Sequence, residues 1–363
     1  MGVSADLWLR ACQYFTMTSI SNNHIPSMRR KRVGFLLSPK KKRKTIFDAF
    51  MQLCGETGIE LVEIDLNVPL EDQGPFDIII QKITDIMAQA RMGEEDALKT
   101  FRSLENYLKC NPDIRVLDPL ECVQKLFDRL VSYQVMKQCE FEEDGIRTYM
   151  PNFVRIDNLD HNENLKRIKA ANVQFPMVCK PLIGHGSDQS HKMSLIFNEE
   201  GLKDVLPPCV VQQFINHNAI LYKVFVAANR YHTVNRPSIK NFYKNKGLFV
   251  SYFITTSCHY DELETIFFNS HDVSKADASS HLSKLDKIDN IDEATPTDEV
   301  IVSKIVKKLK DKLGLSMFGI DIVIEKGTTN HVVIDINYFP GYEGAPSFPA
   351  DMLNYIHCIL YSR

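Results

Sequence analysis

Phe318-Gly-Ile-Asp-Ile322 and Val332-Val-Ile-Asp-Ile-Asn-Tyr-Phe-Pro-Gly341 are two apolar runs near the end of the chain, and each carries an acidic residue. Side chains alternate between the two faces of a β-strand, so Asp335 and Asn337 share one face while the flanking isoleucines point into a core. If the two runs pair, Asp321 joins that face. Two carboxylates and an amide suit Mg²⁺, whereas the plainer alternative is that the acids are solvated.

Two lysines lie in apolar strand patterns further up the chain. Lys180 ends the run Met177–Lys180, and Lys223 follows Tyr222 at the start of another run. An ammonium group in such a place costs desolvation energy unless an anion compensates it, and a nucleotide phosphate would do so. The alternative is that each side chain extends to the edge of its sheet.

A glycine- and histidine-containing segment, Gly184-His-Gly-Ser-Asp-Gln-Ser-His191, separates the two lysines. Its small and polar residues suggest a mobile loop that closes over phosphates, although many ordinary surface loops have this composition. The segment has neither the Walker A nor the Rossmann glycine spacing.

In the N-terminal part, Pro39–Lys44 and Lys82 follow predicted strands directly, where α/β proteins form ligand sites. A basic run of this kind is also typical of a solvated face or a nuclear-localisation patch.

Composition limits the class of protein. The 363 residues are 44% hydrophobic and 25% charged, with a formal net charge of −3. We expect no nucleic-acid partner from so nearly neutral a chain, and no membrane partner because no apolar run could span a bilayer. Nine dispersed cysteines indicate reduced thiols, and the first residues lack a secretory pattern. We therefore expect a cytoplasmic protein that could also enter the nucleus. We expect it to work as a monomer.

The order of predicted elements indicates an α/β protein with α+β lobes. Residues 1–29 show no sustained period and are expected to be a poorly ordered extension. Residues 30–118 alternate strands and helices like a small parallel α/β unit, whereas 119–363 form the second domain. Within the second domain we expect a central antiparallel lobe at about 151–235, which includes the strand Tyr222–Ala228 and a helix near Glu199–Val205. A C-terminal lobe at about 236–363 carries the metal site.

At the level of whole segments the sequence resembles the inositol-tetrakisphosphate 1-kinases, also described as inositol 1,3,4-trisphosphate 5/6-kinases, of the ATP-grasp superfamily. The resemblance covers nearly everything from Lys31 to Leu360, except that residues 243–264 look longer and more apolar than the family has there. The segments that carry it include Lys31-Arg-Val-Gly34, Asp118-Pro-Leu120, Phe214-Ile-Asn-His-Asn-Ala219, Arg236-Pro-Ser238, Phe267-Phe-Asn-Ser-His271 and the two runs quoted first.

The resemblance implies an ATP-grasp fold, ATP and Mg²⁺ as cofactors, and an inositol polyphosphate as substrate. It implies nucleotide contacts from Arg129, Lys180, Gln212, Gln213, Lys223, Ser238, Ser270 and Ser274. It implies metal ligands at Asp321, Asp335 and Asn337, and substrate contacts from Lys41, Lys82, His185, His191, Lys223, Arg236 and Asn337. Catalysis would rest on Lys223, His191 and Asp321.

Two other functions remain open on the sequence alone. A carboxylate–amine ligase of the same fold, which forms an acyl phosphate from ATP, would share the metal and lysine features. The number of cations in the substrate lobe favours a polyphosphate instead. A nucleotide-binding scaffold without turnover is disfavoured because Asp321, Asp335 and Asn337 are all present.

Overall fold

The computed structural model describes residues 29–38, 42, 45–184, 188–244, 262–275, 280–287, 289 and 295–361. The chain divides into two units, Met1–Arg30 and Lys31–Arg363, and every element named here belongs to the second. Five of the sequence predictions lie wholly or mostly outside the described residues: those on the N-terminal extension, the basic run Pro39–Lys44, Lys41 within that run, His185 and the insertion at 243–264.

Fifteen strands and ten α-helices are described. In chain order the strands are β1 (Arg32–Leu36), β2 (Glu60–Glu63), β3 (Ile78–Gln81), β4 (Arg115–Leu117), β5 (Phe141–Glu143), β6 (Ile146–Tyr149), β7 (Phe153–Ile156), β8 (Met177–Pro181), β9 (Lys192–Ile196), β10 (Cys209–Gln213), β11 (Ile220–Ala227), β12 (Arg230–Pro237), β13 (Ile266–Asn269), β14 (Met317–Ile324) and β15 (His331–Tyr338). The helices are α1 (Thr45–Glu56), α2 (Leu70–Gln73), α3 (Thr84–Arg91), α4 (Glu95–Cys110), α5 (Leu120–Gln124), α6 (Arg129–Lys137), α7 (His161–Ala170), α8 (Ser270–Val273), α9 (Glu299–Leu313) and α10 (Phe348–Tyr361).

The strands form three sheets. The N-terminal sheet has the order β2-β1-β3-β4 with parallel pairs, and the five-stranded sheet has the antiparallel order β13-β9-β8-β10-β7. The six-stranded sheet has the order β12-β11-β14-β15-β6-β5. Side chains of β3 are wholly buried, as expected for a parallel strand covered on both faces. These three sheets with their helices confirm the expected α/β architecture.

The sheet assignment of one predicted strand is wrong. Tyr222–Ala228 was expected in the central antiparallel sheet, but β11 pairs with β12 and β14 in the six-stranded sheet. An apolar run predicts a strand without specifying its partner, and here a tight hairpin at Ala228 joins β11 to β12 and carries both to the C-terminal strands. The expected helix near Glu199–Val205 is a short 3₁₀ turn at Glu200–Asp204. The proposed domain boundaries stay a prediction.

Helix α9 shows how local sequence fixes the scaffold under the six-stranded sheet. Asp298 caps it by accepting hydrogen bonds from the amides of Val300 and Ile301, and Gly314 ends it at a φ of 69°. Between these caps, apolar residues at helical spacing form a buried stripe; they are Ile301, Val302, Ile305, Val306 and Leu309. Each contributes about 1.5–3 kcal/mol by burial.

The carboxyl ends of the N-terminal strands are fastened to the six-stranded sheet. Asp118, just after β4, accepts hydrogen bonds from the amides of Ser316 and Met317, where β14 begins. Gln81, at the end of β3, donates its side-chain amide to the Asp118 carbonyl at 2.9 Å and accepts the Tyr338 hydroxyl on its own carbonyl at 2.7 Å. These bonds join two sheets that are far apart in sequence.

Candidate active site

A row of charged side chains crosses the six-stranded sheet. Lys223 on β11 pairs with Asp321 on β14, and Asp321 pairs with Asp335 on β15, so the three side chains share one face. The Lys223 ammonium lies 3.6 Å from an Asp321 carboxylate oxygen, and these two side chains are 25% and 15% exposed. The two acidic runs therefore pair, which meets the condition for Asp321 to join the face of Asp335. Asn337 pairs with Gly319 one row along the same strands.

Asp321 and Asp335 place two negative charges close together, and each carboxylate destabilises the ionised form of the other unless a cation is near. Burial raises the pKa of Asp321, the Lys223 ammonium lowers it, and the neighbouring Asp335 carboxylate raises it again. Two like charges at facing positions are stabilised when a cation lies between them. The donor set of Asp321, Asp335 and Asn337 fits Mg²⁺, which accepts two or three protein oxygens and takes water or phosphate for the rest. In the described part of the chain, no three His, Cys, Asp or Glu side chains form a metal-binding group by themselves.

Arg129 brings a buried guanidinium to Asp335. It lies in the first turn of α6 and is 4% exposed, with one terminal nitrogen 3.8 Å from an Asp335 oxygen. Another terminal nitrogen donates to the Pro181 carbonyl. Among the described residues its Nε is buried and has no hydrogen-bond partner. A buried donor of this kind suits an anionic ligand, because leaving it unpaired costs about 1–3 kcal/mol.

Lys180 reaches from the five-stranded sheet to the six-stranded sheet. Its ammonium donates to the Tyr133 hydroxyl at 2.8 Å and to the Ile334 carbonyl at 3.1 Å. Burial lowers the pKa of Lys180 to about 8, and Asp335 opposes that shift while Arg129 adds to it. Lys180 is thus a buried cation beside the acidic pair rather than a side chain that reaches the sheet edge.

Of the other residues predicted to bind the nucleotide, Gln212 and Gln213 lie on the strand that pairs with that of Lys180, whereas Ser238 lies beside His217. Gln212 and Gln213 end β10, and Gln212 is buried with its amide nitrogen 3.4 Å from the Ile334 carbonyl, beside Lys180. The Ser238 hydroxyl bonds to the buried His217 ring at 2.7 Å, and its contact with the nucleotide stays a prediction. Burial lowers the pKa of His217 to about 4, so this imidazole is neutral at pH 7.

Ser270 and Ser274 lie beside the predicted loop histidine, His191. Ser270 follows β13, and its hydroxyl is 3.3 Å from His191 Nδ1, while the Ser274 hydroxyl donates to the Ser270 carbonyl at 2.9 Å. The rings of His191 and His271 lie with centroids 3.7 Å apart. The antiparallel pairing of β13 with β9 brings these residues together.

Two predicted substrate residues contact the loop after β15. Arg236 on β12 lies on the same face as Lys223, and its guanidinium donates to the Glu343 carbonyl at 2.7 Å. The Lys82 ammonium donates to the carbonyls of Tyr338 and Phe339. Each cation thus holds backbone at the end of β15 or in the loop that follows it, and their contacts with substrate stay predictions.

Sequence reasoning missed Tyr133 and His271 as parts of the site. Tyr133 lies in an ordinary amphipathic helix and has no distinguishing pattern. His271 belongs to the quoted segment Phe267–His271, and its proximity to His191 depends on the register of two strands that are distant in sequence.

Solved structures with the same fold are ATP-grasp proteins. The RimK domain protein ATP-grasp of Sphaerobacter thermophilus covers 90% of this chain and 99% of its own at a TM-score of 0.51 and 12% identity. The macrocyclase MdnC of Microcystis aeruginosa, bound with precursor peptide MdnA, covers 92% and 100% at a TM-score of 0.54 and 13% identity. At such low identity these likenesses show the fold alone, which places the chain in the ATP-grasp class.

Sequence comparison identifies the family within that class. Residues 142–358 match the inositol 1,3,4-trisphosphate 5/6-kinase ATP-grasp domain, and residues 32–123 match the pre-ATP-grasp domain of the same family. Inositol-tetrakisphosphate 1-kinase of Xenopus laevis is 43% identical over 330 residues, which cover 91% of this chain and 79% of that protein. The enzyme of the same name from Danio rerio is 41% identical over 333 residues, covering 92% and 80%. The chain belongs to the inositol 1,3,4-trisphosphate 5/6-kinase family, whose ATP-grasp members are inositol phosphate kinases.

Proposed function

We propose that the chain transfers the γ-phosphoryl group of ATP, in the presence of Mg²⁺, to a hydroxyl of an inositol polyphosphate, with inositol 1,3,4-trisphosphate 5/6-kinase and inositol tetrakisphosphate 1-kinase activity. The observation that carries the proposal is the row Lys223, Asp321 and Asp335, with the buried cations Lys180 and Arg129 beside it. Such a set combines oxygen ligands for a metal with donors for phosphate. Membership of the family supports the same reaction.

Asp321, Asp335 and Asn337 would hold the magnesium ion. When bound, the ion neutralises charge on the β- and γ-phosphates of ATP. The Lys223 ammonium lies 3.6 Å from the Asp321 carboxylate. At that distance the ammonium could move toward a phosphate once Asp321 binds the magnesium ion.

Lys180 and Arg129 would bind ATP phosphates, because both are buried cations with hydrogen-bonding capacity for an anion. The proposal assigns Gln212, Gln213 and the neighbouring backbone of β10 to the adenine edge, and Lys223, Ser238, Ser270 and Ser274 to the rest of the nucleotide. Lys180, Arg129, Gln212 and Ser238 are buried, which strengthens their electrostatic contacts because the local dielectric is lower than in water.

Inositol phosphates would be held by cations around the same face. Arg236 and Lys223 lie on that face, and the proposal adds the cations Lys82 and Lys41, the imidazoles of His191 and His185, and the Asn337 amide. Planar guanidinium and imidazole donors suit phosphate groups, because they form charge-assisted hydrogen bonds.

In the reaction the inositol oxygen forms a bond to the γ-phosphorus as the bond from that phosphorus to the β-bridging oxygen breaks. The products are ADP, the phosphorylated inositol and the proton of the attacking hydroxyl. The transition state is loose, so positioning and charge neutralisation by Lys223 and His191 dominate. Asp321 or water would accept the proton late, when the hydroxyl has become acidic.

A carboxylate–amine ligase is the second candidate, because solved neighbours of the fold include the peptide macrocyclase MdnC. A ligase needs the same metal and nucleotide groups. It would not need Arg236, His191 and Lys82 as a set of cations for a polyanion.

Several broader properties belong to the proposal as well. We also propose that the protein works as a monomer in the cytoplasm with access to the nucleus. The net charge of −3 supports the absence of a nucleic-acid partner. None of the helices described is long and apolar enough to cross a membrane. Domains at 30–118 and 119–363 agree in outline with the family matches at 32–123 and 142–358.

A coupled ATP-consumption assay tests the choice between kinase and ligase. Purified protein receives ATP and Mg²⁺ with inositol 1,3,4-trisphosphate, with inositol tetrakisphosphates or with pairs of amino acids. We expect turnover with the inositol phosphates alone and its loss on chelation of Mg²⁺. Turnover only with amino acids would contradict the kinase and favour the ligase.

The affinity for ATP should weaken in alkaline solution. Burial lowers the pKa of Lys180 to about 8, so its ammonium loses charge as pH rises through that value. Between pH 7 and pH 9 we expect the Kd for ATP to rise about tenfold, measured by titration calorimetry. Lys180→Met should bind weakly at both pH values. A Kd that does not change with pH in the wild type would exclude Lys180 as a phosphate ligand.

His191→Ala should weaken the inositol phosphate and not the nucleotide. Loss of one charge-assisted hydrogen bond raises KM for inositol 1,3,4-trisphosphate about tenfold, with KM for ATP within about twofold of the wild type. His161→Ala, which removes an exposed imidazole at the start of α7, serves as the matched control. Equal effects of the two substitutions would remove His191 from the substrate site.

A further inference from the structure

The strand that carries Asp335 has a β-bulge next to that residue. Asp321 pairs with Asp335, and the next residue of β14, Ile322, pairs with Val333, so Ile334 has no partner across the ladder. A bulge leaves the backbone groups of its extra residue without ladder bonds and re-aims the neighbouring side chain. The position of Asp335 therefore depends on what holds Ile334.

Three side chains from other elements hold the Ile334 carbonyl. Lys180 on β8 donates at 3.1 Å, the Tyr133 hydroxyl on α6 lies at 3.3 Å, and the Gln212 amide nitrogen on β10 lies at 3.4 Å. The five-stranded sheet and α6 thus meet β15 at the bulge. Lys180 and Gln212 are already proposed to bind ATP, whereas Tyr133 has no assigned part.

Tyr133 is the centre of this cluster. Its hydroxyl accepts from the Lys180 ammonium at 2.8 Å and can donate either to Ile334 or to the Gln212 side-chain oxygen at 3.5 Å. Its side chain is 0% exposed, and its ring packs edge-on against Phe153 at 5.2 Å between centroids. A ring so fixed places the hydroxyl oxygen at one point.

The bonds of the Lys180 ammonium decide where its last donor points. Tyr133 and Ile334 accept two of its three N–H groups, and an ammonium has tetrahedral geometry. The third N–H direction is therefore set by the first two. Without the Tyr133 hydroxyl, the ammonium could rotate about its bond to Ile334 and would lose a buried acceptor.

We infer that Tyr133 is a positioning residue that orients the Lys180 ammonium toward ATP and anchors the bulge beside Asp335. Tyr133 is fully buried, so it would act on the reaction through Lys180 and Asp335 and not by contact with the inositol phosphate. The inference rests on the proposed use of ATP at this site. It predicts a defect in nucleotide binding that is separate from folding and from binding of the second substrate.

The test compares Tyr133→Phe with Tyr222→Phe. Tyr222 is a matched control because it is buried and its hydroxyl also bonds to a backbone carbonyl, that of Thr295 at 2.8 Å. Tyr222 also precedes Lys223 on β11 and therefore points to the opposite face of the six-stranded sheet. Each substitution removes one oxygen and keeps the ring. The measurements are the melting temperature, the Kd for Mg·ATP by calorimetry, and both KM values.

For Tyr133→Phe we expect the Kd and KM for ATP to rise about tenfold, as for loss of a hydrogen bond to a charged group. KM for inositol 1,3,4-trisphosphate should stay within about twofold, and Tyr222→Phe should leave all three constants near the wild type. A fall in melting temperature larger than that of the control, with unchanged ATP binding, would assign Tyr133 to packing alone and overturn the inference.

If the wild type bound ATP but phosphorylated no inositol phosphate, the proposed function would fall while the calorimetric comparison still decided the role of Tyr133. A wild type that bound no ATP would overturn both.

Discussion

Replacing Asp335 by Asn is expected to lower turnover at least about a thousandfold, which corresponds to about 4 kcal/mol of transition-state stabilisation. Asp335 faces Asp321 across the strands and lies 3.8 Å from the Arg129 guanidinium. Asn has the same shape but no charge, so the proposed metal ion loses one of its two anionic ligands. The rate constant would be measured at saturating ATP and at several concentrations of Mg²⁺.

Stability and a matched substitution separate catalysis from folding in this experiment. The melting temperature of Asp335→Asn should fall by no more than about 3 °C, because the shape is kept. Asp157→Asn is the control, since Asp157 also pairs with arginine side chains, Arg155 and Arg167, but on the surface. If Asp335→Asn kept more than about a tenth of the wild-type turnover, the metal assignment would be wrong.

Replacing Asp118 by Ala is expected to lower the free energy of unfolding by about 3 kcal/mol. Its buried carboxylate accepts the amides of Ser316 and Met317, and these two donors would be left unsatisfied between the N-terminal sheet and β14. The backbone at Asp118 has a φ of 61°, which alanine tolerates poorly. The measurement is urea unfolding at pH 7.5, where this carboxyl is ionised, because burial raises its pKa only to about 6.

Asp118→Asn provides the comparison for that effect. Asn tolerates the left-handed backbone and keeps one acceptor oxygen, so it should lose about half as much stability as the alanine variant. If the two variants unfolded at the same urea concentration as the wild type, these hydrogen bonds would not be what joins the N-terminal sheet to β14.

The shared face of Asp321 and Asp335 was predictable because it depends on local pattern, whereas the place of Lys223 beside them depends on which sheet β11 joins. An acid flanked by isoleucines in a strand-length run has its face set by the alternation of side chains, so the two acids share a face once the runs pair. Lys180 could be singled out for the same reason, since a lysine in an apolar strand requires a compensating group. The resemblance of whole segments supplied the family.

Other features depend on contacts that no local pattern encodes. The partner of β11 was mispredicted because an apolar strand fits either sheet, and the short strands β5 and β6, which complete the six-stranded sheet, were missed. The bulge at Ile334 requires the register of β14 with β15 to be known. Tyr133 contacts Lys180 and Ile334 only because α6, β8 and β15 meet in the folded chain, so the sequence around Tyr133 does not indicate these contacts.

The most direct test of the central claim is transfer of labelled phosphate. Protein is incubated with Mg²⁺, ATP labelled at the γ-phosphate and inositol 1,3,4-trisphosphate, and the products are separated by anion-exchange chromatography. The proposed kinase gives a labelled inositol product that elutes later than the substrate, and Asp335→Asn gives at most about a thousandth as much in the same time. Label that appears only as free phosphate, with no more anionic inositol species, would contradict phosphoryl transfer to an inositol hydroxyl.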